Sequence, residues 1–308
     1  MFRKYIFGIS VTLLLSGPGC WEESAPEPSA VRAASVRELP IDNQPEGITA
    51  RDGGVSVRVR GASLWLFGDT FFTKPTALGE TLIGNSAAVT LDPTALDGLG
   101  DFAAPTLDAS GMPQRFLPLE VDELQFTMDH EGNPCQVQPC GARYALWPGA
   151  AIYDADSDRL LTFYTKIYAE PGDFNFEARG YSLALSEPGT SDLKRPFFYP
   201  EAVEPTLLFD ADDPAYGSAA FAEGGELFVY GCRLEGFVKP CYLAKIPLDL
   251  VEDPTQWLFF TGSGGWSAEK NKAAVVLYGN DIMTVRWNEY AHRYVAMSRR
   301  PMERVVEM

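Results

Sequence analysis

The chain has 308 residues, of which 46% are hydrophobic and 12% aromatic, enough to build a large core and too much to describe a disordered polymer. The formal net charge of −17 sets 25 Lys and Arg against 42 Asp and Glu, and a surface this acidic repels nucleic acid and anionic lipid. A neutral polysaccharide meets no such penalty. With 28 Gly and 23 Pro, turns are too frequent for long helices, and short strands are expected. Only His130 and His292 are present, and H-E-x-x-H, Walker, G-x-S-x-G and G-x-G-x-x-G patterns are absent, so chemistry here is expected to rest on carboxylates. No cofactor and no metal site is expected.

Arg3 and Lys4 precede an apolar run, Tyr5 to Leu15, and then Ser16-Gly17-Pro18-Gly19-Cys20. The run is short for a membrane span and has the charge-then-apolar order of an export signal. Its ending resembles a lipoprotein signal with Cys20 as the lipidated residue; ordinary secretion is the alternative. Residues 1–20 are thus read as a leader, 21–39 as a polar, Pro-containing tether, and 40–308 as one domain. The expected location is the cell envelope, with the lipid as the only membrane contact. The oligomeric state is open.

From Gly54 onward, four segments share one form: an apolar strand, a tight polar turn and a second strand. They run Gly54–Phe72, Pro148–Lys166, Gly217–Arg233 and Met283–Arg299, with turns at Arg60–Ala62, Asp154–Asp158, Glu223–Gly225 and Asn288–His292. A further strand is predicted after each, beginning at Asn85, Gly180, Tyr242 and Arg304. Hairpin-plus-strand units at this spacing predict an all-β fold, a β-propeller whose blades stack around an axis, with a β-sandwich as the alternative.

In an exported protein, Cys135 with Cys140 and Cys232 with Cys241 close short loops and are expected as two local disulfides. Asp154, Asp156 and Asp158 alternate like calcium ligands but sit in a hairpin turn, where Asp is ordinary, and no EF-hand loop is completed. His130 and His292 are read as loop residues without a catalytic role.

Propeller geometry brings the start of strand one and the end of strand two of each unit to one mouth. The residues concerned are Asp52 and Asp69; Trp147 and Lys166; Tyr216, Ser218 and Arg233; and Asp281 and Arg299.

The stretches Ala50–Phe72, Leu146–Asp154, Tyr216–Arg233, Ile246–Trp266 and Val285–Ser298 resemble, in order, the bacterial "domain of unknown function 4185" family. The resemblance implies a five-bladed propeller of the glycosidase type and hydrolysis of a furanoside polysaccharide such as arabinan. Members of that family continue past the fourth unit with a His-Pro-bearing strand pair, so the expectation for this chain is about four blades with an incomplete last one.

Glycosidases place two carboxyl groups across the scissile bond. Asp52, before Gly53-Gly54 at the head of a strand, is the candidate base or nucleophile, although Asp before Gly also caps turns. Asp69 is the second candidate, and Glu177 and Asp213 are candidates for the general acid, with Glu46 behind them. Trp147 and Tyr216 could stack on a sugar face, and Arg233 and Arg299 could bind hydroxyls or pair with Asp69. The rival reading of the same mouth is non-catalytic binding of a glycan or a partner chain.

Overall fold

A computed structural model describes residues 46–92, 99–236, 238–280, 282–299 and 306–307. The leader, the tether and Cys20 lie outside the described residues.

Each predicted unit forms. In the first, β1 (Ile48–Arg51) and β2 (Val55–Val59) make one arm of a long hairpin, and β3 (Ala62–Phe67) and β4 (Thr70–Phe72) make the other. The turn falls at Arg60-Gly61, both with positive φ, as a two-residue hairpin loop requires. β5 (Leu82–Ile83) pairs with β4, and β6 (Ser86–Thr90) pairs with β3.

Helix α1 (Val121–His130) follows and then the second sheet: β7 (Arg143–Asp154), β8 (Arg159–Ala169), β9 (Phe176–Ser186) and β10 (Leu193–Lys194) in antiparallel order, with β11 (Phe209–Asp210) also on β9. The third sheet runs β12 (Ala215–Glu223), β13 (Glu226–Cys232), β14 (Pro240–Pro247), β15 (Leu258–Phe260) and β16 (Trp266–Ser267), with β17 (Leu277–Tyr278) against β14. The fourth comprises β18 (Met283–Asn288), β19 (Arg293–Arg299) and β20 (Val306–Glu307).

The relation between sheets makes this a β-propeller. The first strand of each unit lies against the first strand of the next: β2 against β7, β7 against β12, and β12 against β18. The apolar faces fill the wedges between. Leu64, Leu66 and Ala87 meet Leu146, Leu160 and Tyr164 between the first and second sheets. Leu161, Phe163 and Leu183 meet Tyr216, Leu227 and Ile246 between the second and third.

Glycine sets the closest approach. A Cβ on Gly149 would lie 2.5 Å from the Gly217 carbonyl oxygen, and one on Gly84 would lie 2.5 Å from Ala145 Cβ. No side chain fits at either point: at the first the inner strands β7 and β12 touch through backbone, and at the second the link between β5 and β6 packs on β7. Among the described residues, four such sheets surround the axis.

Both expected disulfides, Cys135–Cys140 and Cys232–Cys241, are present; the second joins facing positions of β13 and β14. Asp154, Asp156 and Asp158 form the β7–β8 turn. The Asp154 carboxylate accepts the Asp156 amide, and Asp158 accepts Arg60 Nε of the neighbouring turn at 2.8 Å. No metal-binding cluster occurs among the described residues. His130 departs from expectation: it ends α1 and is buried, with Nδ1 2.9 Å from the Pro139 carbonyl. No helix among the described residues is long and apolar enough to cross a membrane.

Candidate functional site

The long hairpin kinks where β1 passes into β2 and β3 into β4, at Asp52 and Asp69. The two residues stay paired through the kink. The Asp52 amide donates to the Asp69 carbonyl at 2.8 Å, and the Gly68 amide donates to the Asp52 carbonyl at 2.8 Å. The innermost strand thus begins beside the end of its partner, with both aspartates at one rim.

Their side chains differ. Asp52 is exposed, and among the described residues its carboxylate accepts only the following Gly53 amide, at 2.7 Å. Asp69 is 13% exposed and held from the second sheet: Arg143 Nη2 donates to Oδ2 at 2.8 Å and Trp147 Nε1 to Oδ1 at 3.0 Å. Period-2 alternation along β7 puts Arg143 and Trp147 on one face, which is why a single strand supplies both. Trp147 is half-buried; its ring meets Phe176 edge-on, with 4.8 Å between centroids, and its Cδ1 lies near Gly68. A cation, an indole and two aspartates therefore meet where the first two sheets join.

Glu131, just past α1, belongs to the same neighbourhood. Its carboxyl is pushed up from the ordinary Glu value, first by burial and then by the like charge of Glu80, while Arg115 and Arg143 pull the other way. It lines an open cavity of about 590 Å³ beside the Cys135–Cys140 loop. A carboxyl that favours its proton is what a general acid needs.

The remaining expected residues are dispersed. Glu177 is exposed and pairs with Arg179 at 2.9 Å. Asp213 pairs with Lys270 and accepts the Asp210 amide at 2.9 Å. Glu46 is exposed, 4.0 Å from Lys74. Arg233 turns to Glu235 and Tyr242, so Asp69 takes its cation from Arg143 instead. Arg299 closes β19, Asp281 lies outside the described residues, and Ser218 is buried, donating to the Ala215 carbonyl at 2.8 Å.

Two expectations need correcting. Tyr216 is 2% exposed and packs on Phe209 and Phe259 in the core between the second and third sheets, so its ring does not line an open mouth. Lys166 lies inside β8 rather than at its end, 5% exposed, bound to Glu123 at 2.6 Å and to Glu204. Sequence reasoning missed Arg143 and Glu131. The Arg-x-Ala-x-Trp alternation running into Trp147 could have disclosed Arg143, because those positions share a strand face. Glu131 carried no local signal.

The architecture defines a β-propeller with a rim of carboxylates between its first two sheets. The chain belongs to the family described as "Domain of unknown function (DUF5005)", whose model matches residues 42–302; this is not the DUF4185 number that the motifs resemble. No curated protein matches the chain in sequence.

Among solved structures, a candidate hydrolase from Bacteroides ovatus ATCC 8483 is similar at a TM-score of 0.51 and 13% identity, over 84% of this chain and 65% of that one. A thermostable family-43 glycoside hydrolase gives 0.40 and 8%, over 79% and 64%. An α-L-arabinanase from Cellvibrio cellulosa gives 0.34 and 9%, over 79% and 66%. The chain thus spans just under two thirds of each of these proteins.

Proposed function

We propose that the chain is an exported glycoside-hydrolase-like β-propeller that acts on a polysaccharide at the rim between the first two sheets. The observation that carries this reading is the kinked hairpin, which presents exposed Asp52 beside an Asp69 already engaged by Arg143 and Trp147. Asp52 is the base or nucleophile. Asp69, held on both oxygens, orients Trp147 as a platform for a sugar face. Glu131 replaces Glu177 and Asp213 as the candidate acid, because both of those are paired with cations. The substrate, a furanoside polymer such as arabinan, follows the DUF4185 resemblance. The leader sequence supports export and lipidation at Cys20, and the two disulfides suit an oxidising compartment.

The test is release of soluble saccharide from arabinan and other cell-wall polysaccharides by the whole chain. Asp52→Asn is expected to abolish release and Asp69→Asn to reduce it strongly. Turnover unchanged in both variants, or no product from any polysaccharide, would overturn the hydrolase reading. One observation favours the rival reading, a non-catalytic glycan-binding propeller: among the described residues, every sequence-predicted rim carboxylate except Asp52 already has a cation partner. Retention of polysaccharide without product would establish it.

A further inference from the structure

The opposite end of the inner strands also carries a cavity, of about 310 Å³, lined by Val57 and Arg58 of β2, Ala151 to Tyr153 of β7, Phe221 and Ala222 of β12, Arg286 and Trp287 of β18, and Tyr294 of β19. All four innermost strands contribute, so it lies on the propeller axis. Trp147 precedes Ile152 by five residues along the bulged strand β7, which puts this floor up to about 16 Å from the rim. The two ends are separate sites.

Its chemistry differs from the rim. Although the chain carries a net charge of −17, neither Arg58 nor Arg286 has a carboxylate partner among the described residues. Arg286 Nη1 is spent on the carbonyls of Ala220, at 2.7 Å, and Val285, at 3.1 Å, and desolvation lowers its pKa from the usual Arg value. A cation in that state gains from any anion brought to it.

The nearby acids are occupied: Asp158 binds Arg60 and Tyr153, and Glu223 bonds to Tyr294. The walls are aromatic. Phe221 and Tyr294 stack with centroids 4.2 Å apart, Trp287 meets Tyr294 edge-on at 5.4 Å, and Trp287 remains 46% exposed. Exposed indole beside a guanidinium with no carboxylate partner among the described residues suits a ligand with an apolar ring face and an anionic substituent. The volume falls at the small end of ligand pockets, roughly 300 Å³ and upward, and fits one ring.

We infer that the floor of the propeller is a binding site for a single anionic sugar unit, a uronate whose carboxylate meets Arg58 and Arg286 while its ring lies on Trp287. It is independent of catalysis at the rim.

The experiment is ligand-observed NMR and Trp fluorescence on the whole chain with D-galacturonate, neutral D-galactose and inorganic phosphate as probes. Galacturonate is expected to bind, salt to weaken it, and galactose and phosphate to bind at least about tenfold more weakly. Arg58→Gln and Arg286→Gln are each expected to weaken galacturonate about tenfold, and Asp52→Asn to leave it unchanged. Should Arg286→Gln lose its cooperative thermal transition, Arg58→Gln decides alone. Galactose binding equal to galacturonate would remove the charge argument, and phosphate binding equal to it would remove the sugar. No galacturonate binding, or binding indifferent to Arg58→Gln, would overturn the site.

Discussion

The second sheet carries two carboxylate–cation clusters only a few residues apart along β7 and β8. Around Lys166, opposite Leu146 of β7, Arg195 is fully buried and Glu123 is 4% exposed. Both Glu123 oxygens accept from Arg195, at 2.5 and 3.0 Å, and Arg195 also bonds to Thr206 and to the Tyr164 hydroxyl. At Arg143, three residues before Leu146, the pairing stops short. Arg143 binds Asp69 through Nη2, but its buried Nε has no hydrogen-bond partner among the described residues, and Glu131 nearby favours its proton. Saturated donors and acceptors lock a helix to a sheet; unsatisfied ones beside a cavity can still respond to a ligand. The first cluster is read as structural and the second as the working site for that reason, since residue types alone do not distinguish them.

The sharpest way to break this contrast is Glu123→Ala. Removing that carboxylate strands Arg195 and Lys166 in a buried setting, and loss of one member of a buried pair costs about 3–5 kcal/mol. Urea unfolding should show the midpoint falling by a corresponding amount. A change below 1 kcal/mol would mean that water reaches the cluster and that it is not sealed.

Acid should act through the same residue. Arg195 and Lys166 hold the Glu123 carboxyl below its ordinary value of 4.5, against the opposing effect of burial. A depressed folded-state pKa contributes stability that is present above the unfolded value and lost as pH falls through the folded one. Stability should therefore decline below about pH 4.5, and less steeply in Glu123→Gln than in the parent.

Asp69→Asn comes next. It removes charge from a pair with Arg143 that is 13% and 21% exposed, while the amide can still accept from Trp147. A hydrogen bond to a charged group is worth about 1.5–3 kcal/mol, so a loss of stability in that range or below is expected. A stability loss as large as that of Glu123→Ala would place Asp69 among the structural groups and weaken its role at the rim.

These two clusters also show how far the sequence can be read. The four hairpins were legible because their turn chemistry, Arg60-Gly61 and Gly224-Gly225, interrupts apolar strands, which read as near-continuous apolar runs where both faces are buried, as in β8. The pairing of Asp52 with Asp69 followed from that topology alone. Helix α1 was not legible. Its buried face consists of Glu123, Thr127 and His130, at helical spacing but polar, so apolar periodicity carries no trace of it. Lys166 misled for the same reason: a charge reads as surface unless its partners are known, and Glu123 and Glu204 are 43 and 38 residues away in the chain. Tyr216 sits at a predicted strand end, yet β11 and β15 bring Phe209 and Phe259 over it.

The smallest expected effect sharpens the contrast from the other side. Glu131 is held above its ordinary value by burial and by Glu80, so the folded chain binds its proton more tightly than the unfolded chain. With the folded pKa raised, the stability this group contributes is complete below the unfolded value and is lost as pH rises through the folded one. At neutral pH the ionised carboxyl is therefore a small burden. Glu131→Gln should raise the thermal midpoint slightly at pH 7, do nothing at pH 4, and flatten the stability profile between. Activity should move the opposite way if Glu131 is the acid of the rim, since glutamine cannot supply the proton. A variant that gains stability at neutral pH while losing turnover would mark the same unsatisfied carboxyl as both a cost to the fold and a tool of the site. A variant that loses stability at pH 7 would show Glu131 to be one more locked ion pair, no different in kind from Glu123.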